Sequence, residues 1–236
     1  MPTIELNDGV LNAAWIVTEM STNVVYGAYK TSTGGWYGSG NLYYQSGVNV
    51  IKIPSDYSPS FEYHSTVGVE YLVVATIQNG FPATGAPQIY YRNSGVLFTA
   101  TGAPSISLGT NNPTERNGSI CPVAMQQNGN DKLFLFYTAP GESSAGQTEI
   151  KYVISPIITG GAIIGSWSSE NVIPDAYTNH KIDGVFNYGE ELLVITFRDM
   201  SGNIALAISD DFGSNWTVDT NVDATTSGAP SITVRE

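Results

Sequence analysis

Charge is scarce in this chain, and positive charge scarcest of all. Of 236 residues only 13% are charged, and 9 Lys and Arg stand against 21 Asp and Glu, a formal net charge of −12. Nucleic-acid affinity rests on clustered cations that displace phosphate counterions, so nucleic acid is excluded as a partner, and anionic membrane surfaces with it. The single cysteine, Cys121, rules out an internal disulfide and a thiolate metal cluster. Within Ser119-Ile120-Cys121-Pro122-Val123 it reads as a small buried hydrophobe. Two histidines, His64 and His180, are too few for a His-rich metal site, although a mixed His/Asp site is compatible with them. No apolar run approaches the ~20 residues of a membrane helix, so membrane insertion is not expected. Met1-Pro2-Thr3-Ile4-Glu5-Leu6 has neither the basic nor the apolar region of a signal peptide.

What the chain does contain is turn and strand chemistry. Its 25 Gly and 14 Tyr, with many Ser, Thr and Asn, suit a turn-rich all-β domain, and apolar runs of strand length replace any helical period. Four runs are alike: Ala13–Thr18, Tyr71–Thr76, Leu133–Thr138 and Leu192–Thr196, starting 58, 62 and 59 residues apart. Each is followed by a polar turn and a second strand (Val24–Tyr29, Gln88–Tyr91, Glu149–Ile154, Ile204–Ile208), then a Gly-containing turn and an aromatic: Trp36, Phe98, Trp167 or Trp216. Each is preceded by a short extended segment, such as Ser60–Tyr63 or Lys181–Phe186. Four strands per unit of about sixty residues is the periodicity of a propeller blade. The expected fold is therefore one small β-propeller of four blades, with five as the alternative, each of four antiparallel strands. The units fall at about 1–54, 55–115, 116–178 and 179–236, and a β-sandwich is the competing architecture. Gly228–Val234 echoes Gly102–Leu108 and is expected to complete the blade holding Ala13–Thr18, closing the ring.

Ser209-Asp210-Asp211-Phe212-Gly213-Ser214-Asn215-Trp216 joins two of these strands. Asp211 can accept backbone N–H bonds at a turn, Gly213 can take positive φ, and Trp216 supplies a large apolar cover. With Ser209, Asp211, Gly213 and Trp216 in place, the segment resembles the Asp-box of sialidases and related BNR-repeat propellers, with Asn215 where that family has Thr. The resemblance implies a propeller and places this hairpin away from the ligand face. It does not imply sialidase activity. That family uses three arginines, a Tyr–Glu pair, a further acid and usually six blades. Here there are four arginines in all, Arg92, Arg116, Arg198 and Arg235, and no Arg-Ile-Pro opening segment.

Candidate ligand contacts are Tyr63, His64, Arg116, His180, Asp183 and Arg198. His64 and His180 border inner strands that would line a central channel. Arg116 sits in a long Asn/Pro/Thr loop, the kind of segment that carries binding, whereas Arg198 beside Asp199 also reads as a solvated turn pair. Glu62, Glu70, Asp183 and Glu190 are the carboxylates at inner-strand openings, and glycoside hydrolysis needs two such groups ~5–9.5 Å apart; nothing in their spacing selects a pair. Tyr43, Tyr44, Tyr57, Tyr90, Tyr91, Tyr177 and Tyr188 offer ring faces and hydroxyls suited to sugars, while Tyr on strands also packs sheets. No cofactor is implied. There is no Asp-x-Asp-x-Asp-Gly loop, and the acidity is compatible only with weak surface Ca²⁺ binding.

Low charge, exposed aromatics and the missing catalytic set point to a non-catalytic recognition propeller. Its partner would be a glycan or glycoprotein surface, contacted as a lectin or as a host-binding virion component, and its place extracellular or on a virion surface. The alternatives are a reduced sialidase-like glycoside hydrolase and a structural subunit of a larger assembly, with homo-oligomers or virion subunits as partners.

Overall fold

The computed structural model describes residues 3–7, 10–19, 22–31, 36–41, 43–46, 49–52, 60–64, 68–77, 85–92, 98–106, 119–125, 131–140, 148–157, 166–178, 180–223 and 230–233. They form strands arranged as four antiparallel meanders. Sheet one holds β1 (Thr3–Asn7), β2 (Val10–Glu19), β3 (Thr22–Thr31) and β4 (Trp36–Asn41) in that order. Next come β5 (Tyr43–Ser46) and β6 (Asn49–Lys52), then β7 (Ser60–His64), β8 (Val69–Ile77), β9 (Gly85–Arg92) and β10 (Phe98–Thr101). Sheet three holds β11 (Ile120–Met125), β12 (Lys132–Pro140), β13 (Thr148–Pro156) and β14 (Asn171–Tyr177). Sheet four holds β15 (Asp183–Asn187), β16 (Leu192–Arg198), β17 (Ile204–Ser209) and β18 (Thr217–Asp223).

All four long apolar runs are second strands of these meanders. Sheet two departs from the pattern. Its order is β6-β5-β10-β9-β8-β7, because the hairpin Tyr43–Lys52 leaves sheet one and adds to the outer edge of sheet two. Tyr44 is the register partner of Phe98 in a parallel β5–β10 pairing.

The first strands stand side by side in chain order: β1 against β7, β7 against β11, β11 against β15. Sheet three lies in the middle and is buried on both faces, which is why Leu133–Tyr137 is apolar without interruption. Phe134 and Phe136 point toward sheet four and join Phe186, Leu193, Ile195 and Phe197. Leu133, Leu135 and Tyr137 point the other way, against Val69, Tyr71, Val73 and Ile89 of sheet two. Leu72, Val74, Tyr90 and Phe98 face back toward Val25 of sheet one. Each fully buried large side chain adds roughly 1.5–3 kcal/mol by leaving water.

Among the described residues, sheet four is packed against another sheet on one face only. Leu193, Ile195, Ala205 and Ala207 are buried, while the alternating Leu192, Val194, Leu206 and Ile208 are half-exposed. The ring is not closed: among the described residues no contact comparable to the other inner-strand contacts joins β15 to β1. The expected closing strand is not found there either. β2 already has β1 and β3 on its two edges, so it offers no free ladder. Pro230–Thr233 is not a strand and lies against Asp183 instead.

Candidate functional site

Inner strands β11 and β15 run in parallel, and polar contacts record their alignment. Ser119 Oγ accepts from the Ile182 amide at 3.0 Å. A Cβ on Gly184 would stand 3.4 Å from Cys121 Sγ, and the Tyr188 hydroxyl donates to the Ala124 carbonyl at 3.2 Å. Asp183 is therefore level with the N-terminal end of β11. Gly184 and Phe186 point into the sheet three–four interface, so Asp183 and Val185, alternating with them, face the uncovered side of sheet four.

Asp183 is fully engaged. Its Oδ1 accepts from the Gly184 amide at 3.0 Å. Its Oδ2 accepts from Ser231 Oγ at 2.7 Å and from the Ile232 amide at 3.1 Å. His180 and Arg198 come to the same end of sheet four through Thr178. The Thr178 hydroxyl accepts from the His180 amide at 3.0 Å and donates to the Arg198 carbonyl at 2.6 Å. The Arg198 guanidinium is turned back into its own hairpin, where Nε donates to the Gly202 carbonyl at 3.1 Å. Gly202 has φ 92°, a conformation that Gly takes readily. Asp199 Oδ1 closes that hairpin by accepting from the Ser201 and Asn203 amides at 2.9 and 2.8 Å.

The other candidates are not gathered there. β7 and β15 are each separated from the next strand by four residues, with His64 opposite Val69 and Asn187 opposite Leu192. Counted back from those turns, Tyr63 and His64 match Phe186 and Asn187, while Asp183 matches Ser60. Tyr63 and His64 thus occupy the end of the inner strand opposite to the Asp183 position. Arg116 and Tyr57 lie outside the described residues.

The carboxylates separate in the same way. Glu62 Oε1 accepts from the Ala124 amide at 2.7 Å, tying β7 to β11. Ala124 lies three residues past Cys121, about 10 Å along an extended strand. Glu70 is buried beside Arg92, whose Nε donates to Oε2, while Oε1 has no hydrogen-bond partner among the described residues. Burial raises the Glu70 carboxyl above its ordinary range, and Arg92 only partly offsets that. Glu190 is exposed in the turn after β15, its amide bonded to Asn187 Oδ1 at 3.3 Å.

The Ser209–Trp216 turn is organised by Asp211. Oδ1 accepts from Ser209 Oγ at 2.9 Å and from the Asn215 amide at 2.8 Å, and Oδ2 accepts from Asn215 Nδ2 at 2.6 Å. The Asn215 bonds hold the Asp211 carboxyl below its usual range. Ser209 Oγ in turn accepts from the Gly213 amide at 2.8 Å. Trp216 packs edge-on to Phe136 and Tyr152 of sheet three, so the turn fastens two sheets. Trp167, at the matching place in sheet three, donates its indole N–H to the Gly102 carbonyl at 3.1 Å.

One cluster was not foreseen. Tyr137, buried on β12, donates to Glu170, and Lys151 Nζ stands 2.7 Å from the other Glu170 oxygen and 4.0 Å from Glu149. Burial and the Glu170 bond push the Tyr137 phenol up. Burial opposes ionisation of Glu170, but the Lys151 and Tyr137 bonds outweigh it and hold that carboxyl low. A Lys inside the strand Thr148–Pro156 was the available signal. Among the described residues, no group of three or more His, Cys, Asp or Glu side chains could hold a metal ion. No helix among the described residues is long and apolar enough to cross a membrane.

No protein-family model matches the chain, and no curated protein matches it in sequence. Solved structures do match its fold. Zg3597, a family 117 glycoside hydrolase produced by the marine bacterium Zobellia galactanivorans, superposes with a TM-score of 0.56 at 13% identity, over 92% of this chain and 67% of that one. A candidate glycoside hydrolase from Parabacteroides distasonis gives 0.50 at 10% identity, over 93% and 71%. The chain therefore has an all-β fold built on antiparallel four-stranded meanders, one of them extended by a hairpin, shared with propeller glycoside hydrolases. The likeness is one of fold. The narrower resemblance to Asp-box sialidases has no counterpart among these matches.

Proposed function

We propose that this chain is a glycan-directed propeller of the glycoside-hydrolase kind, reduced to four blades, with five as the alternative if the open side takes another sheet. The observation that carries the reading is the superposition of 92% of the chain on a family 117 glycoside hydrolase. Asp183, at the opening of an inner strand with His180 and Arg198 at the same end of the sheet, is its carboxylate toward substrate. Aryl glycosides and a panel of oligosaccharides, incubated with the protein and followed for released phenol and reducing ends, test it. Turnover that Asp183→Asn abolishes supports the reading; no turnover on any substrate sinks hydrolysis.

A second reading, recognition without catalysis, has its own support. Glu62 and Asp183 each commit an oxygen to backbone N–H groups, which suits fixed acceptors better than a proton-exchanging pair. As a lectin-like or host-binding virion component, the protein would act at an extracellular or virion surface. A glycan array separates this from hydrolysis, since binding without turnover would stand for recognition alone. The half-exposed apolar face of sheet four supports the third reading, a subunit contacting copies of itself or other virion subunits, which mass measurement in solution checks.

A further inference from the structure

Beyond these readings, and resting on the glycan-directed one, we propose that Pro230–Thr233 is a displaceable strap occupying the sugar position in front of Asp183. Two donors of different origin, the Ser231 hydroxyl and the Ile232 amide, converge on Oδ2 at 2.7 and 3.1 Å. Two donors on one carboxylate oxygen is what neighbouring sugar hydroxyls offer, and such charge-assisted bonds are the strong ones. The strap has no regular structure, Ser231 is exposed, and Ile232 is half-buried.

The chain contains its own control. Ala103-Pro104-Ser105-Ile106 repeats Ala229-Pro230-Ser231-Ile232, but the first copy is fixed. Ile106, half-buried, packs against the core between sheets two and three, and Gly102, four residues earlier, is held by the Trp167 indole. The position in sheet two that matches Asp183 is Ser60, which bears no carboxylate. The second copy meets a carboxylate on a face that, among the described residues, no further sheet covers. Identical chemistry is thus a permanent connector at one site and a removable occupant at the other.

A site competent only when the strap is away binds more weakly by the fraction of time it is away. With the strap seated about nine-tenths of the time, freeing it tightens apparent affinity roughly tenfold. The test pairs Ser231→Ala with Ile232→Pro, which removes both donors, and compares the double variant with wild type on an oligosaccharide array. Amide exchange at Ile232 in the wild-type chain is followed with and without the tightest array ligand. Tighter binding by the variant, together with faster Ile232 exchange when sugar is bound, is the expected result. Equal affinities with unchanged Ile232 exchange overturn the strap and leave the glycan reading standing. Absence of any sugar binding by both proteins overturns the glycan reading and the strap with it. Binding by the variant alone supports both.

Discussion

The indole N–H of Trp216 lies 3.3 Å from the Tyr152 hydroxyl, which itself donates to the Gly213 carbonyl at 2.5 Å. One oxygen on sheet three therefore closes the turn of sheet four from beneath and fixes the ring that covers it. Replacing Tyr152 by Phe keeps the ring stack and removes only that oxygen. The carbonyl of Gly213, itself a buried residue, then loses its donor at a cost of about 1–2 kcal/mol. A lower urea midpoint with an unchanged slope checks this. An unaltered midpoint would show that the hydroxyl bridge contributes nothing.

Gly184 is crowded both by its cross-strand partner Ile195 on β16 and by Val123 of the neighbouring inner strand β11. A Cβ there would meet Ile195 Cδ1 at 2.5 Å and Val123 Cγ2 at 3.0 Å, and both neighbours are fully buried. Gly184→Ala should destabilise by about 1–3 kcal/mol through overpacking. Adding Ile195→Val removes the closer methyl, so the double variant should be less destabilised than the sum of the singles. Strict additivity in denaturation midpoints would contradict the clash.

Glu70 and Arg92 are a buried pair, with side chains 2% and 15% exposed, and Arg92 also lies over the Phe98 ring at 4.6 Å. Arg92→Met leaves the carboxyl without its cation and should cost about 3–5 kcal/mol, whereas Glu70→Leu combined with Arg92→Met should recover most of it. The pH dependence follows from burial. Because the folded carboxyl titrates above its ordinary 4.5, its contribution is fully present below about that pH and is lost as pH rises through the folded value. The stability of wild type relative to Glu70→Gln should therefore fall as pH is raised above 4.5. Denaturation curves across that range check the sign.

Cys121 is buried, and burial, with Asp183 and Glu62 nearby, pushes its thiol well above the ordinary range. Since the thiolate is the reactive form, a thiol reagent should leave the native chain unlabelled and modify one site per chain once urea unfolds it. Rapid labelling without denaturant would contradict this placement.

The strands were legible because their cause is local. In Leu192–Arg198 and Ile204–Ser209 the alternation of side chains is written in consecutive residues, and the burial pattern follows it. The Asp211 turn was legible for the same reason, since donors and acceptor fall within seven residues. Contacts between distant segments left no such trace. Nothing in Tyr43–Ser46 records a parallel partner at Phe98, and nothing in Asp183 records Ser231, 48 residues on. The Arg198 guanidinium, drawn as a candidate ligand contact, is held by Gly202 four residues away, and the Asp199 turn was the sign of it. Tyr137 was hidden inside an apolar run. Its value as the partner of Glu170 and Lys151 emerged only when β12, β13 and the segment before β14 were set together.

Asp211 should show the opposite pH behaviour to Glu70. Its carboxylate accepts the Asn215 backbone and side-chain donors and the Ser209 hydroxyl, so the folded group titrates below its ordinary 3.8. A depressed value means stability that is present above 3.8 and lost as pH falls through the folded value, because the unfolded chain takes up the proton first. Asp211→Asn keeps the size of the side chain and one acceptor oxygen but removes the charge. Its stability relative to wild type should be lowest near neutral pH, and the difference should shrink as the buffer is taken below 3.8. Urea titrations of both proteins between pH 3 and pH 6 measure it. Parallel profiles would mean that the turn is held by its backbone, with Phe212 and Gly213 at φ 59° and 85°, and that the carboxylate contributes only its shape.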